Sequence, residues 1–159
     1  MNFADTSGRA PTPFRLEREQ LIHRPVAEVF PFFADPANLG RITPPWMQFR
    51  IVECSTPEIG EGTEIEYALK VRGLPMRWRS LIRCWQPPFR FIDEQIWGPY
   101  RRWVHLHTFE DLGDRTRIRD EVDYAVPGGR LVHRLFVRPD LERIFAYRQA
   151  VLAEKFADS

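Results

Sequence analysis

The chain has 159 residues, of which 43% are hydrophobic and 28% charged, and its formal net charge is +1 at pH 7. This length suits one domain that buries about two thirds of the surface of its unfolded chain. The near-neutral charge argues against nucleic-acid binding as the main role, because that role requires a strongly basic face. No run approaches the ~20 apolar residues of a membrane span, so we expect no stable membrane insertion.

Residues 1–13 are predicted to form a flexible N-terminal segment, and residues 14–159 a single domain. The N-terminal segment lacks the apolar core of a secretory signal, which favours a cytoplasmic location. Cys54 and Cys84 have neither metal-binding nor redox-motif spacing. We expect both to be reduced and to serve only as packing side chains.

The first third of the chain gives strand, helix and strand signals in turn. Residues 14–22 predict a strand, and from Pro25 the apolar residues recur at three and four, as on a helix. Pro31 lies inside this pattern and predicts a short or kinked helix. A second short helix is expected over residues 35–39, followed by a strand over residues 47–53.

The middle of the chain predicts a meander of five strands, because its apolar residues alternate with period two. The predicted strands are Thr63–Val71, Met76–Gln86, Phe89–Trp97, Trp103–Asp111 and Thr116–Val126. Helical spacing returns at Leu131, with a short helix expected to Val137 and the main helix over Pro139–Phe156. Seven strands covered by one helix have to curl around it. The sequence therefore predicts an α+β fold in which a curved antiparallel sheet grips a long C-terminal helix.

Polar side chains fall on the covered face of this predicted sheet. One row across the strands contains Ile65, Ile82, Asp93, His107 and Asp120, and the next contains Tyr67, Ser80, Gln95, His105 and Val122. Burying unpaired polar groups costs roughly 2–7 kcal/mol each, so this pattern indicates a lined cavity. The same alternation predicts buried side chains at Trp78, Asp93, His107 and Asp120, and exposed ones at Arg79, Arg117 and Arg119.

The order of elements resembles the START-related helix-grip superfamily known as SRPBCC. Pro25–Phe30 on the first helix belongs to this superfamily resemblance. Six motifs are similar to its bacterial polyketide cyclase/dehydrase-like or CoxG-like branch: Asn38-Leu39, Thr43–Trp46, Phe91–Gln95, Gly98–Tyr100, Trp103–His107 and Phe145–Arg148. The resemblance covers about residues 14–156. It implies a seven-stranded sheet around the C-terminal helix, two short helices after the first strand, and a pocket mouth near Trp46, Met47 and Phe49. It implies no single activity, because the superfamily includes lipid carriers, hormone receptors and aromatase/cyclases.

Asp93, His107 and Asp120 are the candidate polar centre, since the predicted register brings them onto adjacent strands. They are interpreted either as an acid/base group or anchor for a polar ligand head, or as a buried network that fixes the register. His105 and His107 face one side of their strand and, with Asp93 or Asp120, form a plausible metal ligand set. No motif specifies a third ligand, so we predict neither a metal nor a cofactor.

The aromatic residues of the covered face are interpreted as the wall of an apolar pocket or as a packing layer. The predicted ligand-binding residues are Tyr67, Trp78, Trp97, Trp103 and Tyr124, with Ser80, Gln95, His105 and His107 nearby. Arg148 is expected to be solvated or salt-bridged rather than functional.

Three functions follow from this pattern. The first is binding of a small hydrophobic or amphipathic ligand of lipid, quinone or aromatic polyketide type. The second is a cyclase or dehydratase in which His107 transfers protons with Asp93 and Asp120. The third, a protein-assembly module, requires an exposed apolar patch, and the polar outward face of the predicted strands offers none.

Overall fold

The computed structural model describes residues 14–157, so the predicted flexible segment lies outside the described residues. One seven-stranded antiparallel sheet and a long C-terminal helical segment make up the architecture, with a short helix and two 3₁₀ turns after the first strand. The strands are β1 Phe14–Ile22, β2 Arg50–Cys54, β3 Glu64–Val71, β4 Leu74–Gln86, β5 Arg90–Trp97, β6 Arg102–Asp111 and β7 Thr116–Ala125. The helices are α1 Val26–Ala34, α2 Gly129–Val132 and α3 Arg138–Lys155, and the 3₁₀ turns are Pro36–Arg41 and Pro45–Met47.

The strand order across the sheet is β1-β7-β6-β5-β4-β3-β2, so the first strand closes against the last. The predicted α+β helix-grip fold is confirmed: the sheet curves around α3, and the short helical elements follow β1. None of the helices in residues 14–157 is long and apolar enough to cross a membrane.

The C-terminal helical segment is continuous, although the sequence predicted a break before Pro139. One turn of π-helix over His133–Val137 joins α2 to α3. Pro139 comes directly after this π-helical turn, at the start of α3. The helix therefore runs on from Gly129 to Lys155.

The predicted inward parity holds along most of the meander. His107 and Asp120 are buried, Trp78 and Asp93 are half-buried, and Arg79 and Arg119 are exposed; Arg117 is half-buried. Two registers differ from prediction by two residues. Tyr67 pairs with Trp78 rather than Ser80, and Asp93 pairs with His105 rather than His107. A shift of two keeps every side chain on its face, because the side-chain period of a strand is two.

The prediction that Trp97 points inward is wrong, because its side chain is 61% exposed. Ser80 pairs with Gln95 but the preceding residue, Arg79, pairs with Trp97, so Ile96 is an extra residue in β5. Such a β-bulge reverses the alternation beyond it. Trp97 consequently lies opposite Arg79 on the outer face.

The apolar core forms two clusters under the sheet. One surrounds α1, with Val29, Phe30 and Phe109 at its centre. The other packs the first turns of α3 against β6 and β7, through Leu141, Phe145 and Val122. Helix and sheet diverge between the two clusters, and the candidate site lies there.

Candidate functional site

A cavity of about 350 Å³ lies between α3 and the concave face of the sheet. Both core clusters contribute to its wall. Its main aromatic lining is Trp46, Phe49, Tyr67, Trp78, Trp103 and Phe145. This volume is near the lower end of the range of ligand pockets, about 300–1,000 Å³.

Asp120 organises the polar side of this cavity although it does not line it. Its Oδ1 lies 2.7 Å from Nε2 of His105, 3.3 Å from Nη2 of Arg148 and 3.4 Å from Nδ1 of His107. Nη2 of Arg148 also lies 3.4 Å from Nδ1 of His107. One carboxylate therefore ties two strands of the sheet to α3.

The two imidazole rings are held in a stack. The ring centroids of His105 and His107 are 3.7 Å apart, and Phe91, which pairs with His107 across β5 and β6, stacks on its other face at 4.3 Å. Aromatic neighbours on both sides of His107 restrict its ring orientation. The stack therefore presents the His107 edge in one position.

The environment shifts the ionisation of the groups in this cluster in different directions. Burial, followed by the neighbouring His105 and Arg148, holds the pKa of His107 well below its usual range. Burial alone would raise the pKa of Asp120, but Arg148, His105 and His107 together hold it below its usual range. Burial raises the pKa of Asp93, against the opposing effects of Ser80, His105 and Arg148. Asp120 is thus the carboxylate of the cluster, and His107 a neutral ring.

Buried polar atoms without a hydrogen-bond partner concentrate at this cavity. Within residues 14–157 there are four such side-chain atoms, and three of them belong to residues that line it: Oδ1 of Asp93, Nε2 of His107 and Nε of Arg148. Asp93 as a whole is half-buried, whereas its Oδ1 is fully enclosed. Unpaired buried polar atoms are rare, because each costs about 1–3 kcal/mol. Their clustering indicates a place for a polar group that is not part of the chain.

A second, smaller cavity of about 50 Å³ lies behind the first. Asp93, His107 and Arg148 line both cavities, and Tyr67 joins them. These side chains, together with Leu39 and Ile42, therefore form the partition between the two cavities.

Charged and aromatic side chains hold the mouth of the cavity. The Arg72 guanidinium makes two hydrogen bonds to the carboxylate of Asp140, at 2.9 and 3.0 Å, which links the tip of the β3–β4 hairpin to α3. On the other side Trp46 lies beneath the Arg143 guanidinium, 4.9 Å from the ring centroid, and contacts Tyr147 edge to face. Both Arg72 and Arg143 line the cavity.

The predicted site residues separate into those that line the cavity and those that do not. Asp93, His107, Tyr67, Trp78, Trp103 and His105 line it. Ser80 is fully buried and accepts a hydrogen bond from Nε1 of Trp78, while the amide of Gln95 bonds the backbone of Tyr100. Tyr124 is buried in the second core cluster with its hydroxyl 2.7 Å from Nε2 of His133. Trp97 lies outside, beyond the bulge.

Arg148 is the buried polar residue of the site that sequence reasoning missed as a cavity-lining group, and the exposed Arg72 and Arg143 at the mouth were also not predicted. Arg148 is salt-bridged, to Asp120, as one of the two expected alternatives stated, but it is only 8% exposed. Its position between Phe145 and Leu152, at spacings of three and four, puts it on the buried stripe of α3. A charged residue on an otherwise apolar helical stripe is the sequence signal that could have identified Arg148 as a site residue.

His105, His107 and Asp120 have the residue types of a metal site, and their possible ligand atoms lie within 4.8 Å of one another. Arg148 disfavours a cation there, since its guanidinium already contacts Oδ1 of Asp120 and Nδ1 of His107. A divalent ion between these atoms would face a fixed positive charge. The geometry supports hydrogen bonding rather than metal binding.

A groove of about 690 Å³ on the outer face of the sheet is larger than the internal cavity. Its lining includes Arg50, Lys70, Arg77 and Trp97, which belong to the outward face. None of the four unpartnered buried atoms found in the described chain belongs to it. Size alone therefore does not identify the site, and the internal cavity is the stronger candidate.

Comparison with known proteins agrees with the fold. A model of the family described as polyketide cyclase/dehydrase and lipid transport matches residues 22–149. No curated protein matches the chain. The likeness to solved structures described next is one of fold, because the identities are low.

Three solved structures illustrate it. A protein of Thermus thermophilus is 18% identical with a TM-score of 0.72, over 90% of this chain and 97% of that one. The Zhui aromatase/cyclase of a Streptomyces species is 16% identical with a TM-score of 0.70, over 89% and 92%. A START superfamily protein of Mycobacterium smegmatis is 11% identical with a TM-score of 0.64, over 88% and 97%.

Proposed function

The chain belongs to the polyketide cyclase/dehydrase and lipid transport family, and from this premise we propose that it binds a small amphipathic molecule in the cavity beneath α3. The observation that carries the proposal is the group of unpartnered buried atoms on Asp93, His107 and Arg148. An apolar wall with a few convergent polar groups is the usual composition of a ligand pocket.

The ligand has an apolar body and one compact polar end. Aromatic side chains surround the body, while the polar end meets His107 and Asp93 at the partition. Arg148 can only donate, so its contact with Nδ1 of His107 favours the tautomer that carries the ring proton on Nε2. A donor at that position suits a carbonyl or hydroxyl oxygen, as in a quinone, a fatty acid or an aromatic polyketide.

A panel of short-chain quinones, aromatic ketones and fatty acids tests this proposal by thermal unfolding. A ligand at a hundred times its Kd stabilises the protein by about 2.7 kcal/mol. Ile144→Trp adds bulk to a residue that lines the cavity, so it should abolish the stabilisation. Ala146→Trp, on the exposed side of the same helix, is the matched control and should keep it. Binding that survives Ile144→Trp, or no stabilisation by any panel member, contradicts the proposal.

A cyclase or dehydratase is the second candidate, favoured by the opposite pKa shifts of two carboxyl groups, since the pKa of Asp93 is raised and that of Asp120 is lowered. Two titratable groups whose environments push their pKa values apart are typical of acid/base pairs. In this role Asp120, which does not line the cavity, positions His107 indirectly, because it holds His105, which stacks on the His107 ring, and Arg148, which contacts Nδ1 of His107. His107→Asn should then reduce turnover at least ~100-fold while binding persists. Loss of folding in that variant would favour a purely structural role.

A further inference from the structure

An exposed apolar surface lies beside the cavity mouth, on the helical segment rather than on the strands. Leu131 is 67% exposed, and Leu135 and Phe136 are also exposed. On the hairpin tip facing them, Leu74 is 62% exposed. We call these four residues the apolar face. Large exposed apolar groups that lie together mark interaction sites.

The apolar face is joined to the cavity mouth through Arg72. Its guanidinium lies 4.9 Å from the ring centroid of Phe136, and Nη2 donates to the carbonyl oxygen of the same residue at 3.4 Å. Arg72 lines the cavity, as does Val137, which follows Phe136 in the chain. A surface that covered the apolar face would therefore also lie over the mouth.

Positive charge borders the apolar face. Arg130, Arg134 and Arg138 are exposed at spacings of four along the same segment, and residues 124–139 contain no acidic residue. Arg138 pairs with Glu142. Arg130 and Arg134 have no ion-pair partner within residues 14–157. Exposed leucine and phenylalanine beside a row of arginines is the pattern of a helix that lies in the interface of an anionic bilayer.

We propose that the apolar face docks reversibly on an anionic lipid bilayer, with the cavity mouth turned toward the membrane. The apolar side chains enter the interface, and the three arginines contact lipid phosphates. Docking itself rests on the exposed residues. Docking would let an apolar ligand pass between bilayer and cavity without exposure to water. This use of docking rests on the proposed function. The protein lies on the membrane and does not cross it.

Sedimentation with vesicles tests the docking. We expect the protein to bind vesicles of phosphatidylcholine mixed with phosphatidylglycerol, to bind pure phosphatidylcholine weakly, and to be released by high salt. Replacing Arg130 and Arg134 with Gln should weaken binding roughly 25-fold, since each arginine near an anionic surface contributes about fivefold. Replacing Leu135 and Phe136 with Ser should weaken it about tenfold or more.

Matched controls lie at the opposite end of the sheet. Phe89→Ser removes a side chain that is 56% exposed in the β4–β5 turn, and the pair Arg83→Gln and Arg115→Gln removes two exposed arginines. These controls should bind vesicles as the unaltered protein does. The proposal would be overturned if the controls lost as much vesicle binding as the test variants. It would also be overturned if the unaltered protein did not bind vesicles.

Two further outcomes separate this proposal from its alternatives. If the Leu135 and Phe136 variant instead abolishes a dimer seen by light scattering without lipid, the face joins two copies and membrane docking is wrong. If vesicle binding fails while cavity ligands still stabilise the protein, docking is wrong and the proposed function stands. Vesicle binding by a protein that no cavity ligand stabilises supports docking and removes the proposed function.

Discussion

Asp120 is a single carboxylate shared by two imidazoles and a guanidinium, which makes it a sensitive residue for stability. Removing its charge would leave Arg148 buried without a counterion. Breaking a buried pair in this way costs about 3–5 kcal/mol. We therefore expect Asp120→Asn to lower the free energy of unfolding by that amount in urea titrations.

The control for this variant is Asp114→Asn, because the Asp114 side chain is 83% exposed in the β6–β7 turn. It should change stability by less than about 0.5 kcal/mol. A loss below about 1 kcal/mol in Asp120→Asn, the value of a surface pair, would show that the charge of Arg148 is compensated in another way.

The lowered pKa of His107 predicts a specific pH dependence of the free energy of unfolding. Burial, His105 and Arg148 hold its pKa well below normal, so the folded protein keeps the ring neutral while the unfolded chain takes up a proton near pH 6.5. The unfolded state then binds more protons, and stability falls by up to about 1.4 kcal/mol for each unit of acidification below pH 6.5. Urea titrations between about pH 7.5 and pH 5 measure this slope.

The two carboxylates act differently in that titration. The pKa of Asp120 is lowered, so its contribution to stability is lost only in stronger acid, as pH falls below the usual range of an Asp side chain. The pKa of Asp93 is raised, so its contribution has the opposite sign and is lost as pH rises through that pKa. His107→Gln, which cannot titrate, isolates the histidine and should reduce the slope; burial also lowers the pKa of His133, so a slope of the same sign should remain. The exposed His23→Gln should leave it unchanged.

At the scale of the elements, the Gln95–Tyr100 connection fixes the wall of the cavity. Nε2 of Gln95 donates to the carbonyl oxygen of Tyr100 at 2.7 Å, and the N–H of Tyr100 donates to Oε1 of Gln95 at 3.2 Å. A Cβ on Gly98 would come within 2.6 Å of that Oε1. We expect Gly98→Ala to displace the amide and to destabilise the protein by about 1–3 kcal/mol.

Thermal unfolding measures this effect, and near-ultraviolet circular dichroism should report a changed environment of Tyr100, which packs on Trp78 and Trp103. Gly60→Ala is the matched control, since a Cβ there would meet nothing within 4 Å. If the two variants behave alike, the Gln95 amide does not hold the wall.

The elements also show what the sequence could and could not predict. Alternation places His107 and Asp120 inside, because burial of one sheet face dictates period two. It does not give the register, which depends on the turn. The first hairpin closes through Arg72 and Gly73, both with positive φ, rather than through residues 73–75.

The sequence predicted which types of residue form the candidate site better than it predicted which of them are in contact. A bulge at Ile96 removes Trp97 from the inner face, and no local signal in the strand marks that extra residue. Arg148 joins the polar cluster from a helix 28 residues after Asp120. Such a pairing depends on how α3 packs against the sheet, which periodicity alone does not give.

At the scale of the whole molecule, the Arg72–Asp140 pair links the hairpin tip to the helix across the cavity mouth. Both side chains are partly exposed, so we expect Asp140→Asn to change overall stability by less than about 1 kcal/mol. Local opening should change more visibly. Amide hydrogen exchange at residues 71–74 and in the first turn of α3 should become up to about fivefold faster.

The control is Glu142→Gln on the same helix turn, because Glu142 pairs with Arg138 within the helical segment and does not bridge to the sheet. It should leave exchange at the hairpin tip unchanged. Unchanged exchange in Asp140→Asn would mean that this pair does not hold the mouth.

The pairing of β1 with β7 has a consequence for the synthesis of the protein. Phe14 lies opposite Tyr124 and Ile22 opposite Thr116, so the strand translated first has to wait about 90 residues for its partner. At about 5–20 residues per second this delay lasts roughly 5–20 s. Of its nine residues only Leu16 and Ile22 become buried, and four others are charged. That polarity keeps the nascent strand soluble at the ribosome until β7 emerges and the sheet can close.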